Sequence, residues 1–426
     1  MPKKKKQRTE KLLSPWQTHL PRDLLSSIWS MFANSTLVLV MELVCRDWKS
    51  ASRRGIGWHH LSFPSFQLKC TSWPLWCHAL RQRVLSPYTT SVDLGITSFP
   101  ILNGVANRLT LIRELSFHWV QKLSTMQDGP FSLVNLSLLQ VLNVIITIHQ
   151  WPDKKIFFDT NWPLMKRLSL VVEVEDVALN QPYQDHFGVD LCLSSMPLLE
   201  RLEVRGNMAT HVFDDCDFPQ LTHLRWTQES PYEDDGKPPH VDNGDPAGFH
   251  LPHLLSSARA LQSLEARFRV LSDYEEGAEE NQEETARVTS SCIAALRRHS
   301  ASLTHLSWDS YWEPITGSCF APLSTVLPHM ARLQSLSLGL PSFHFTERPP
   351  RDRLVDDMMQ LKTVTQLSSL TLLAPISECY DIGAFKALVA LLPLLTQIHL
   401  KSHRKTRLVS REEFLAAASW HDIYFY

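Results

Sequence analysis

The chain has 426 residues, with 42 Lys plus Arg against 44 Asp plus Glu. So even a balance gives no global pull toward nucleic acid or membrane, and the length suits a large buried core that needs no covalent staple. Leu occurs 64 times and Gly only 14 times, which points to a repetitive solenoid or helical core and away from folds that cradle phosphates on Gly-rich loops.

No G-x-x-x-x-G-K-[ST], G-x-G-x-x-G or G-x-S-x-G is present, which argues against common nucleotide-binding and hydrolase classes. The 8 Cys are scattered without a C-x-x-C pair, and the 19 His form neither an H-E-x-x-H nor a zinc-finger spacing with them. The expectation is a reduced chain with no metal, no cofactor and no catalytic activity of its own. No apolar run approaches the roughly 20 residues that span a bilayer, and the N-terminus lacks the apolar stretch of a signal peptide. These features predict a protein that is cytoplasmic and/or nuclear and binds neither nucleic acid nor membrane.

Residues 1–15 open with a basic tip. Residues 1–11 hold six basic residues and Glu10, leaving 36 basic against 43 acidic side chains in the remainder. PKKKKQR at 2–8 is similar to a nuclear-import signal, and a solvated disordered tail fits the same composition.

Residues 16–62 read as a small helical domain. Pro21 followed by Leu24, Leu25, Ile28 and Phe32 gives an amphipathic helix with Pro in its first turn. Ala33–Thr36 breaks it, Leu37–Cys45 is a second apolar run leading to Trp48, and a third stretch ends at Trp58. Three short helices cannot bury all these side chains among themselves, at about 1.5–3 kcal/mol for each one left exposed. A partner surface is expected.

This stretch resembles the F-box, with its LP-x-[DE]-[IL]-L-x-x-[IL] start and VC-[RK]-x-W close. The matching residues are Leu20, Pro21, Asp23, Leu24, Leu25 and Ile28, then Val44, Cys45, Arg46 and Trp48, with Trp58 downstream. The segment between Phe32 and Val44 is one residue longer than the usual pattern, which leaves the register of the second helix open. The resemblance implies docking on the Skp-type adaptor, and through it a cullin, by Leu20, Pro21, Leu24, Leu25 and Ile28. It also implies that Phe32, Val44, Cys45, Trp48 and Trp58 pack inside the domain.

Residues 63–88 keep aromatic anchors (Phe63, Phe66, Trp73, Trp76) and read as a packed junction with a first cap helix at Trp73–Leu85. WHHLSF at 58–63 is a candidate cap strand for the repeats that begin near residue 89.

Residues 89–402 repeat the frame L-x-x-L-x-L or an apolar variant of it. It occurs at 112–117, 139–144, 165–170, 199–204, 221–226, 261–266, 303–308, 333–338, 367–372 and 395–400, with a weaker copy at 89–94. The last two apolar positions lie two apart, so a short strand points both inward and the residue between them outward. Helical patterns at Cys292–His299, Pro322–Leu333, Leu354–Leu367 and Ile382–Leu395 would form the opposite face. The pattern resembles irregular leucine-rich repeats, without a repeated Asn or Cys closing each turn. Two insertions interrupt it: 227–250 is rich in Pro, Gly and acids, and 272–286 holds seven carboxylates and no basic residue. Both read as flexible, either capturing a basic partner or simply solvated. Residues 403–426 read as a C-terminal cap.

The outward residues of the frames are Ser116, Asn143, Ser169, Glu203, Arg225, Glu265, Ser307, Ser337, Thr371 and His399, flanked by Arg201, Arg205, His223, Arg267, His305 and Asp309. Solenoids bind partners on such concave strand faces. Arg201, Arg205, Arg225 and Arg267 are the candidate substrate-binding residues, because guanidinium binds acidic or phosphorylated groups bidentately.

The expected fold is therefore α/β: a small three-helix F-box-like domain followed by an irregular leucine-rich-repeat solenoid, or horseshoe. The resemblance implies the substrate-recognition subunit of an SCF-type cullin ubiquitin ligase, with a protein substrate on the solenoid. The alternative is a leucine-rich-repeat interaction scaffold with no ligase role.

Overall fold

The computed structural model describes residues 60–62, 89–97, 102, 106, 110–120, 133, 136–148, 156–159, 162–174, 189–206, 208–212, 217–227, 250–270, 290–312, 323–339, 360–373, 382–401, 406–419 and 422–423. The basic tip, the F-box-like segment through Trp58, the Trp73–Leu85 helix and the insertions at 228–249 and 272–286 lie outside the described residues.

Sixteen strands are seen among the described residues. The first eight are β1 (His60–Ser62), β2 (Ser91–Thr97), β3 (Glu114–Val120), β4 (Val141–Ile148), β5 (Ile156–Asp159), β6 (Arg167–Val174), β7 (Val189–Leu193) and β8 (Arg201–Gly206). The rest are β9 (Met208–Val212), β10 (His223–Thr227), β11 (Ser263–Val270), β12 (His305–Trp312), β13 (Ser335–Gly339), β14 (Ser369–Leu373), β15 (Gln397–Lys401) and β16 (Thr406–Ser410). Thirteen of them form one sheet in the order β1-β2-β3-β4-β6-β8-β10-β11-β12-β13-β14-β15-β16. From β1 to β15 the pairing is parallel, and β16 returns antiparallel on β15.

The frame explains the ladder. In β3 and β8 buried and outward residues alternate strictly, with Leu115 and Phe117 or Leu202 and Val204 inside. Ahead of each main-sheet strand from β3 to β15, two consecutive amides donate to one carbonyl of the preceding repeat, as Glu200 and Arg201 do to Lys166, Thr222 and His223 to Glu200, and Gln262 and Ser263 to Thr222. The first Leu of the frame closes a tight turn on a residue three positions earlier, as Leu199 does on Met196 and Leu221 on Phe218. Each unit is too small to bury its own apolar side, so adjacent repeats share one continuous core running from Val92 to Ile423. This is the long parallel sheet of a leucine-rich-repeat-like solenoid.

The opposite side is less regular than the sequence patterns imply. Ile382–Leu391 is the expected α-helix and residues 290–297 are helical. The described residues of the other two expected helices include 3-10 turns at Leu327–His329 and Gln360–Thr363. Buried residues recur there every third position, Leu327, Met330 and Leu333, then Leu361, Val364 and Leu367. That spacing suits three residues per turn better than 3.6.

The structure adds a second parallel sheet, β5-β7-β9, that the sequence patterns do not announce. Its strands lie in three consecutive short crossovers, between β4 and β6, β6 and β8, and β8 and β10. The chain leaves the main sheet for this second one at Gly206, whose φ is +104°. A Cβ built there would lie 1.9 Å from the Val172 carbonyl oxygen, so only glycine lets β8 turn off against β6.

After β15 the chain caps the sheet. Ser410 N-caps the helix Arg411–Ala416, its Oγ accepting from the Glu413 amide at 3.1 Å. Arg407 reaches Glu413 at 2.8 Å and donates to the Ile423 carbonyl. The Phe414 ring meets Phe385 edge-on at 6.5 Å.

Candidate functional site

The exposed face of the main sheet follows from register. Asp93, Ser116, Asn143, Ser169, Glu203, Arg225, Glu265, Ser307, Ser337, Thr371 and His399 are direct cross-strand partners along eleven strands. The sequence frames, aligned on their leucines, yield this middle row correctly. Asn143 Nδ2 donates to Ser116 Oγ at 3.0 Å and Ser169 Oγ to Glu203 Oε2 at 3.0 Å.

At the centre Arg225 is held from both sides. Its Nη1 lies 3.0 Å from Glu203 Oε1 and its Nε lies 3.0 Å from Glu265 Oε2. All three side chains are half-exposed, so each pair contributes at most about 1 kcal/mol. Their structural consequence is larger: of the four candidate arginines, Arg225 is committed to two carboxylates of its own fold.

The other three stand in the rows on either side. Arg205 is directly opposite Val171 and Thr227, and Arg267 is opposite Thr227 and Asp309, so the two arginines flank β10. Arg201 begins β8 and stands directly opposite Arg167 of β6 and His223 of β10. Sequence reasoning misses Arg167, although it holds the same frame position as Arg201, immediately before the inward Leu168. The leading row therefore runs Arg167, Arg201, His223, Ser263, His305.

The two histidines sit in the same local device. Thr222 Oγ1 donates to the Glu200 carbonyl at 3.1 Å and lies 2.8 Å from His223 Nδ1. Thr304 Oγ1 donates to the Gln262 carbonyl at 3.0 Å and lies 2.8 Å from His305 Nδ1. A hydroxyl has one proton, so each Thr spends it on the carbonyl and accepts from the imidazole. Each ring is thereby a donor at Nδ1, and Nε2 is the atom left to take up a further proton. Burial, then Arg201 and His305, lower the His223 pKa.

A second polar chain crosses β3, β4 and β6: His118 Nε2 lies 2.7 Å from Thr147 Oγ1, which donates to Glu173 Oε2 at 3.4 Å. Burial pushes the Cys292 thiol up to about 12, which keeps it protonated and non-nucleophilic. Among the described residues no cluster of three or more His, Cys, Asp or Glu is placed to hold a metal, and no helix is long and apolar enough to cross a membrane.

The adaptor-binding residues Leu20, Pro21, Leu24, Leu25 and Ile28, and the F-box core residues Phe32, Val44, Cys45, Trp48 and Trp58, lie outside the described residues.

No family model matches the chain, and no curated protein matches it. Among solved structures it is similar to one described as the crystal structure of a TLR13-ssRNA13 complex, at 13% identity and a TM-score of 0.28. That match covers 76% of this chain and 44% of the other, so the chain spans less than half the length of the protein it matches. At that score the likeness carries no argument, and the solenoid assignment rests on the chain's own repeated frame and parallel ladder.

Proposed function

We propose that the chain is the substrate-recognition subunit of a cullin-based ubiquitin ligase. Its F-box-like helices dock on the Skp-type adaptor, and the exposed strand face receives a protein substrate. The observation that carries this reading is the ordered motif from Leu20 to Trp48 standing directly ahead of the repeats, with Trp58 two residues before β1. Such a short tether would hold a bound substrate at a set distance from the ligase machinery, where positioning makes transfer effectively intramolecular. The chain transfers no ubiquitin itself and works in the cytoplasm or nucleus. Arg201, Arg205 and Arg267 belong to the substrate surface, and Arg225 organises its centre.

The parallel ladder with a mixed-charge face, taken alone, equally fits an interaction scaffold without a ligase role. Co-purification with the Skp-type adaptor separates the two, comparing the intact chain with a Leu20→Ala, Pro21→Ala double variant shown to be folded by circular dichroism. The ligase reading expects capture by the intact chain and loss in the variant. An intact chain that captures no adaptor leaves the scaffold reading in its place.

A further inference from the structure

The leading row of the strand face contains a conflict that its own sheet does not resolve. Arg167 and Arg201 are direct cross-strand neighbours, both exposed, and His223 is the next residue along. Like charges directly opposite one another destabilise a sheet. Neither arginine is engaged by a carboxylate among the described residues, and from β6 to β12 the row contains no acidic residue. Glu203 and Glu265 lie one row away and face each other across Arg225.

From this we infer that the row Arg167, Arg201, His223 and His305 is a docking line for an extended acidic segment of a protein partner, gripped more tightly as His223 takes up a proton. The inference rests on the strand face being the partner surface of the proposed function. At about 4.8 Å per strand the row spans roughly 19 Å, the reach of about six extended residues. Carboxylates on alternate residues of such a segment fall about 7 Å apart, a sparse charge that suits four cations over this length. Duplex nucleic acid carries one charge per about 1.7 Å and would meet Glu203 and Glu265 beside the row.

The Thr222–His223 pair supplies the pH response. Because the Nδ1 proton of His223 is already committed to Thr222, protonation adds a donor at Nε2 without breaking a bond of the fold. The charged groups facing the His223 and His305 rings are Arg201, Glu203 and Glu200 from β8 and its lead-in, Arg225 from β10, and Glu265 from β11; the facing residues of β13 are Ser335 and Ser337. Burial, Arg201 and the His305 imidazole oppose protonation of His223 in the free protein. A bound acidic segment removes that opposition, so binding and proton uptake reinforce one another.

The test is fluorescence anisotropy of a labelled octaglutamate peptide with the full chain at pH 8.0, 7.0, 6.0 and 5.5, at fixed ionic strength, with circular dichroism tracking the folded fraction. The affinity is expected to rise at least tenfold from pH 8.0 to 5.5. In the His223→Gln, His305→Gln double variant the affinity should change less than twofold across the range. Arg167→Gln with Arg201→Gln should weaken binding at every pH, whereas Arg297→Gln with Arg298→Gln, outside the strand face, should not. Absence of binding at pH 5.5, a pH response that the double histidine variant retains, or tighter binding of an eight-nucleotide oligothymidine would each overturn the inference. Adaptor capture is read separately: a chain that captures adaptor but ignores the peptide refutes only this inference, and one that binds peptide without adaptor refutes only the ligase reading.

Discussion

His299 is fully buried and acts as a stitch between repeats. Its Nε2 lies 2.7 Å from the Leu255 carbonyl at the end of the helix His250–Ser257, and its Nδ1 accepts from the Leu261 amide at 3.3 Å, just ahead of β11. Both bonds need the neutral ring with its proton on Nε2, and burial, the larger effect, together with Arg298 lowers the pKa. In His299→Leu the packing volume survives but two buried backbone groups lose their partners, at about 1–3 kcal/mol each. Allowing for the long Leu261 bond, the expected loss is about 2–4 kcal/mol. Because a solenoid couples each repeat chiefly to its neighbours, the place to read it is amide hydrogen exchange across 255–266, where exchange at pH 7.5 should quicken by about 30- to 1,000-fold. The native chain carries a second signature. Its unfolded His299 protonates near 6.5 while the folded ring resists, so folding loses stability as pH falls below 6.5 toward the lowered folded pKa. The variant lacks that term, and the gap between the two chains should narrow at pH 5.5. An exchange change under threefold at pH 7.5, or a gap independent of pH, would refute the stitch.

Gly206→Ala places a methyl 1.9 Å from the Val172 carbonyl oxygen at a φ of +104°. The backbone of β6 or β8 must move, and thermal unfolding should show a loss above about 3 kcal/mol, at the upper end for single substitutions; a loss under 1 kcal/mol would mean that the turn out of the main sheet is not fixed by Gly206. Cys292, its thiol pushed up to about 12 by burial, should stay unalkylated by iodoacetamide at pH 8 in the folded chain and react on urea unfolding, as read by peptide mass spectrometry. Modification under native conditions would show that the 290–297 helix opens readily.

The main sheet is legible because its signal is redundant. Ten frames share one spacing, and aligning Leu202, Leu224 and Leu264 in sequence already gives their cross-strand register. The second sheet carries no such signal: IFFD, VDLCL and MATHV share no frame, and they pair because short crossovers stack them. Gly206 looks like any glycine until the proximity of the Val172 carbonyl is known. His299 is hidden for another reason. The tight turn before Leu303 is one residue longer than its counterparts, with the Ser302 and Leu303 amides both donating to the His299 carbonyl. A histidine therefore occupies a position that Met196, Phe218 and Met330 fill with apolar side chains, and its partners lie 38 and 44 residues away in sequence.

The same registration decides the electrostatics of the exposed face. In a sheet of aligned frames the neighbour of a charge is set by its position within the frame and not by its distance in sequence. Arg225 holds the middle position, so it falls between Glu203 and Glu265 and is neutralised twice. Arg201 holds the position two residues earlier in its own frame, so it falls beside Arg167 and His223 and is neutralised by neither. Residue type alone would rank the two arginines equally as ligand-binding groups. Register separates them: the central arginine fixes a carboxylate on each side, while the leading-row arginine keeps a positive charge that no neighbour in its row offsets, and a partner's carboxylate can.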